Sequence, residues 1–366
     1  MEQKDQRKHI WYFDYLRVFA MLCVIFMHVG AGAMRELNGL NWHLHNACMS
    51  AAFTAVPLFF MMSGYLLLHD PRTADVGYLL RHRLPKLAIP LAAWSVVAAA
   101  WYTWLGDRSL LSFGKWLVQA LREPVMVHMW FLYMLLALYA VSPILYGGLK
   151  VLDRNGKRYV LVLLVLVMVQ GTVNLFAPDA TIDLFATLRL FEGHLTAFLL
   201  GYFLGELKRN IPNAMLLAVG GVDFLMILIG TWRLTVSRGE YTAAFQSQAN
   251  GFEIVLAACI FLFFRQNCNR KYRLQPALGP WIAMSMGIYL CHNIVNSVLF
   301  FFFPITNQFY GTCLKTLIVL VCSYLLIKTL ASIRPLCYLF TGIPYAGARR
   351  SCSWRYTVQN LSKNKK

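Results

Sequence analysis

Long apolar stretches dominate this chain, and short polar segments rich in Lys and Arg separate them. A bilayer span needs about 20 mainly apolar residues, each rising 1.5 Å along a helix. Measured against that length, the sequence yields ten stretches: 12–34, 50–69, 86–105, 128–147, 158–177, 187–207, 214–232, 250–267, 280–303 and 312–333. None alternates apolar with polar positions as the strands of a membrane barrel do. The pattern predicts an all-α polytopic integral membrane helix bundle of about ten transmembrane helices. One embedded domain, 12–333, follows a cytoplasmic segment, 1–11, and precedes a basic cytoplasmic tail, 334–366. No tandem repeat divides it. The first apolar run has no small-residue cleavage site and is long enough to span, so it is expected to be a retained helix.

Composition agrees: 58% of residues are hydrophobic, 14% are charged and the mean hydropathy is +0.53, which excludes an ordinary soluble domain. The 34 Lys and Arg outweigh 16 Asp and Glu, a net charge of +18 that in a soluble protein would raise nucleic acid as a partner. Placement answers otherwise. With the N-terminus inside, 24 of the basic residues fall on inside segments and 6 on outside loops. That bias puts both termini in the cytoplasm, with the basic loops against anionic membrane lipid, and leaves no role for nucleic acid. Nine scattered cysteines without a CxxC pair read as soft packing residues and not as a disulfide frame.

Ionisable residues inside a bilayer are costly, so each is a candidate for function. They are Asp14, Arg17, His28, Arg189, Glu192, His194, Asp223, Glu253 and His292. Arg17 and His28 are eleven residues apart, close to three helical turns, which puts both on one face roughly 16 Å apart. Asp14 is spaced to pair with Arg17. The bland alternatives are a snorkelling arginine and a satisfied core histidine. In the second span, Ser63 and Gly64 suit close helix approach. The basic group Arg72, Arg81, His82, Arg83 and Lys86 suits phosphate, and equally plain anchoring at the inner surface. The fourth span opens His128-Met129-Trp130, where an aromatic belt accounts for the Trp, and the ninth places His292 and Asn293 in mid-membrane. His43 and His45 read as residues of the first outer loop, with no third ligand for a metal.

Together these pieces resemble the integral-membrane acyltransferase-3 family. They are Arg17 and His28 preceded by Asp14-Tyr15-Leu16, Phe60 with Ser63-Gly64-Tyr65-Leu66, Arg81 and Arg83 before the third span, Trp130 to Tyr133 with Ser142-Pro143, and Gly287 to His292. The likeness is closest in style to stand-alone surface-glycan O-acetyltransferases such as the enterobacterial common antigen enzyme. It implies a multi-pass enzyme of the bacterial inner membrane that moves an acyl group, most simply acetyl, from cytoplasmic acyl-CoA to a hydroxyl of a surface polysaccharide or its lipid-linked precursor. Acyl-CoA would be a donor substrate, with no permanently bound cofactor and no metal. The implied roles are His28 as base or transient acyl carrier beside Arg17, and Arg81, Arg83 and Lys86 on the CoA phosphates. Asp14, Ser63, Trp130, Tyr289, His292 and Asn293 would lend support. The sequence departs from the family pattern in having His82 between the arginines and Lys86 where an arginine is frequent. Two other classes fit the bare pattern: a transporter exporting a glycan precursor or small solute, and a non-catalytic assembly subunit.

Overall fold

A computed structural model describes residues 9–37, 39–176, 193–247, 250–271 and 275–347. Every regular element among them is helical. The first span is α1 (Trp11–Gly30). The second is broken: α2 (Gly39–Ala52) and α3 (Ala55–Leu68) share one 30-residue crossing, Gly39–Leu68. The break has a local cause. Pro57 offers no amide to the Phe53 carbonyl, and the Thr54 hydroxyl turns back to the Ala51 carbonyl at 2.6 Å. His43 and His45 therefore sit on α2 and not in a loop. His45 is sealed inside, between the Asn41 carbonyl at 2.8 Å and the Thr312 hydroxyl at 2.9 Å.

The third span also starts early. A helical turn, α4 (Val76–Tyr78), and a π-helical turn, Leu79–Arg83, run directly into α5 (Leu84–Leu105). Pro85 removes the amide that an α-helix would supply to the Arg81 carbonyl, and the wider turn instead closes from the Leu84 amide to the Leu79 carbonyl. The basic cluster is thus built into a helix. Next comes α6 (Leu110–Gln119), a short helix with no buried residue that exposes Leu110, Leu111 and Val118, as an interfacial helix does.

The remaining helices are α7 (Trp130–Val151), α8 (Arg154–Phe176), α9 (His194–Glu206), α10 (Asn213–Arg238), α11 (Gly251–Asn267), α12 (Gln275–Ala283), α13 (Ser285–Phe302), α14 (Phe309–Ser332) and α15 (Arg334–Thr341). Eight helical segments among the described residues are long and apolar enough to cross a membrane. The other two predicted spans correspond to α9 and α11, only 13 and 17 residues long. Residues 187–192 of the sixth span, with Arg189 and Glu192, lie outside the described residues.

Small residues set the tightest contact. A Cβ on Gly64 would stand 1.8 Å from the Phe198 carbonyl oxygen, and one on Gly201 would stand 2.0 Å from that of Met61. So α3 and α9 touch backbone to backbone, which is how helices associate where lipid removes the hydrophobic drive. Gly64 of the predicted Ser63-Gly64 pair marks that contact, as its small size suggests. The span Gly39–Leu68 is 67% buried along its most apolar window, whereas Arg154–Phe176 is 11% buried. The bundle therefore has α1 and α3 inside and α8 and α10 as its lipid-facing flank. The start of the predicted tail is folded on: Trp94 Nε1 donates to the Phe340 carbonyl of α15 at 3.1 Å, and Cys337 is buried. Residues 348–366 lie outside the described residues.

Candidate active site

The predicted face of α1 is real, and one partner helix reads both ends of it. His28 faces the ring of His128, whose centroid is 5.8 Å away in the 3-10 turn that opens α7. Arg17 has Tyr139 of α7 among its electrostatic neighbours. Residues 128 and 139 are also eleven apart, so α7 and the turn that opens it supply one polar side chain opposite each end of the α1 face, as two polar rungs. Asp14 acts electrostatically on Arg17 but makes no close ion pair with it among the described residues: its carboxylate takes a hydrogen bond from His9 Nε2 at 2.7 Å. Arg17 makes no hydrogen bond to any described residue.

At the first rung three histidines converge. Ring centroids are 5.3 Å apart for His28 and His292, and 4.8 Å for His128 and His292. Helix α13 supplies His292 together with the groups that lock the other rings. His128 Nε2 donates to the Leu290 carbonyl at 3.1 Å, and the Tyr289 hydroxyl donates back to the His128 carbonyl. Asn293 Nδ2 donates to His128 Nδ1 at 3.4 Å. His292 Nδ1 donates to the Tyr289 carbonyl at 2.5 Å, which leaves Nε2 as a bare acceptor. That nitrogen is buried and has no hydrogen-bond partner among the described residues. Two of the three rings thus have an N–H spent on a carbonyl, and no cluster suited to a metal ion occurs among the described residues.

His28 opens onto a cavity of about 270 Å³. Trp130, Tyr289 and Tyr241 share its wall with apolar side chains such as Val24, Met34 and Phe53, and no acidic group among the described residues lines it. Tyr241 follows α10, outside the spans. Burial pushes its phenol above the usual tyrosine range, and its hydroxyl donates to Gln246 Oε1 at 2.6 Å. Such a cavity is apolar with a few polar handles, the usual character of a small-molecule site. Of the predicted supporting residues, the fold brings Trp130 and Tyr289 to the wall and sets His292 beside His28. Asn293 holds His128, while Ser63 makes no hydrogen bond to the described residues and does not line the cavity. His194 lies between Phe60 and Trp130, with ring centroids at 5.1 and 5.0 Å.

The second rung is charged. Arg83 donates to the Thr73 hydroxyl at 2.7 Å and to Asp70, which also takes Arg72 Nη2 at 3.0 Å. Tyr139 is an electrostatic neighbour of Arg83 as well as of Arg17, so the basic cluster meets the α1 seam there. Arg81 and Lys86 point outward and are exposed. Gly342, at φ +66° and with its Cβ position 2.2 Å from the Lys86 carbonyl, allows the chain after α15 to press on this turn.

Sequence reasoning missed His128 and Tyr139 as site residues. Both sit in a helix crowded with aromatics, where an interfacial belt and ordinary core explain them equally well. The one available signal was their own spacing of eleven, the same as that of Arg17 and His28.

A family profile described as an acyltransferase domain matches residues 10–328. It covers both rungs and all three histidines. No curated protein and no solved structure matches the chain.

Proposed function

Since the chain belongs to the acyltransferase-3 family of multi-pass membrane acyltransferases, we propose that it moves an acyl group, most simply acetyl, from cytoplasmic acyl-CoA to a hydroxyl of a surface polysaccharide or its lipid-linked precursor in a bacterial inner membrane. The observation that carries this reading is His28 at the wall of an otherwise apolar cavity, with a cationic rung three turns below it on the same helix face.

The two rungs suit the two halves of an acyl-CoA. Its phosphates cannot enter lipid cheaply. They are held at the surface by Arg81 and Lys86, beside the turn that Arg83 pins to Asp70, and the thinner pantetheine arm passes Arg17 toward His28. A neutral His28 takes the proton of the acceptor hydroxyl as its oxygen attacks the thioester carbonyl carbon. The new C–O bond forms, the C–S bond breaks, and the imidazolium returns its proton to the leaving sulfur, so CoA departs as the thiol. General-base assistance of this kind is worth about 10² to 10⁴ in rate.

The test is to incubate membranes containing wild-type protein or His28→Ala with labelled acetyl-CoA and to follow label into alkali-labile esters of the glycan and lipid fractions. Ester label that vanishes in a folded His28→Ala variant is the expected result. Equal label in both overturns the role of His28, and no ester label in either overturns the donor or the acceptor.

A further inference from the structure

Three features around His28 bear on its proton chemistry. Among the described residues its ring contacts are two other imidazoles, His128 and His292, and none that lines its cavity bears a carboxylate or ammonium group. His128 is fully committed, donating to the Leu290 carbonyl and accepting from Asn293. His292 is half committed: with Nδ1–H on the Tyr289 carbonyl, the neutral ring holds a lone pair on Nε2, and that atom is buried without a partner among the described residues. A buried acceptor left unpaired is destabilising, so a fold that keeps one there offers it to something.

The geometry points to His292 as a positioning residue that acts through His28, its Nε2 accepting the N–H of the His28 nitrogen turned away from the cavity. The inference rests on reading His28 as the base. In an acyl-transfer triad a carboxylate holds the far side of the catalytic imidazole, fixing its tautomer and steadying the imidazolium. Here a neutral imidazole takes that place. The hydrogen bond forms when His28 turns within its ring contact of 5.3 Å. It directs the lone pair of the other His28 nitrogen into the cavity, toward the acceptor hydroxyl. Only the acceptor's proton moves: it goes to His28 and then to the leaving sulfur, while the N–H shared with His292 stays on His28. His128 holds the array from the third side, with Tyr289 and Asn293 of α13 as its clamps.

Two substitutions separate the two nitrogens of His292. His292→Gln places an amide oxygen near the Nε2 position and gives up the Nδ1 contact. His292→Asn keeps a donor near Nδ1 for the Tyr289 carbonyl and loses the acceptor. The expected result is a kcat within about fivefold of wild type for His292→Gln and about 10² lower for His292→Asn, with the KM for acyl-CoA unchanged in both. An asparagine variant as active as the glutamine variant, or a loss confined to KM, overturns the inference. His28→Ala, assayed beside them, tells the failures apart: an active His28→Ala removes the base itself, whereas an inactive one with equal His292 variants removes only the positioning role. Nitrogen-15 spectra of histidine-labelled wild-type protein supply a reading independent of variant folding. They should show His292 as the Nδ1–H tautomer, and an Nε2–H tautomer overturns the inference.

Discussion

The two rungs of the α1 face are chemical opposites. Around His28 every described partner is neutral, the ring N–H groups of His128 and His292 are spent on carbonyls, and the space left is small and apolar. The other rung is ionic: Asp14 acts on Arg17, and across Tyr139 Arg83 and Arg72 clamp Asp70 while Arg81 and Lys86 stand exposed. The difference teaches how one helix face can serve both a highly charged donor and a reaction that must create charge only briefly. A permanent cation beside His28 would oppose the imidazolium. A permanent anion there would hold it in the resting state. Keeping that rung neutral reserves electrostatic stabilisation for the transition state, where it raises turnover. Charge belongs at the other rung, where the donor's phosphates need it and water is near.

The sharpest way to break this division is to swap which kinetic constant each rung controls. His28→Ala is expected to lower kcat by about 10³ and leave acyl-CoA binding in place, because it removes the base and none of the phosphate contacts. Measuring donor KM and kcat in the same membranes checks it, and a rise in KM alone would place His28 with the binding rung. Arg17→Ala comes next, with a loss of about 10² in kcat/KM and most of it in KM, since a guanidinium with no hydrogen bond to the described residues is free for the donor. Smaller again is Asp70→Ala. It releases Arg83 and Arg72 from the turn that carries them, and an approximately tenfold rise in KM is expected from the lost order of that turn, with kcat steady. Steady-state kinetics on that variant contradicts the division if kcat falls with KM unchanged.

Much of this was legible before any coordinates. Arg17 and His28 announce a shared face because eleven residues nearly complete three turns, and His292 stands out as an imidazole deep in an apolar run. The fold class follows from the length of the apolar stretches alone. Other features need tertiary information. The break between α2 and α3 sits inside one unbroken apolar run and turns on Thr54 and Pro57, so hydropathy gives a late start for that span. The Asp14–Arg17 spacing is sound helical geometry, yet His9 competes for the carboxylate from outside the helix. The Arg83–Asp70 clamp joins residues on either side of a turn that the sequence presents as a generic basic loop. His128 is hidden by its company, since a histidine next to Met129 and Trp130 at a span's end looks like interfacial anchoring.

The finest division lies within the charged rung. Arg83 is almost enclosed, its side chain 12% exposed and its guanidinium committed to Asp70 and Thr73. Arg81 and Lys86 are exposed and carry no such partner among the described residues. If the clamp shapes the turn and the exposed pair meets the phosphates, the pair should act as surface charges do, at about 1 kcal/mol or less each. The double variant Arg81→Gln with Lys86→Gln is therefore expected to raise the acyl-CoA KM by roughly fivefold at low ionic strength with kcat unaltered. That effect should shrink as salt approaches the range where the screening length falls below about 8 Å. Arg83→Gln should behave otherwise, because it breaks a shielded ion pair: its KM effect should persist at high salt. Titrating salt in the kinetics of the two variants separates them. Parallel salt dependence would mean that Arg83 leaves Asp70 to hold the donor itself, and the clamp would then be a resting state of the site.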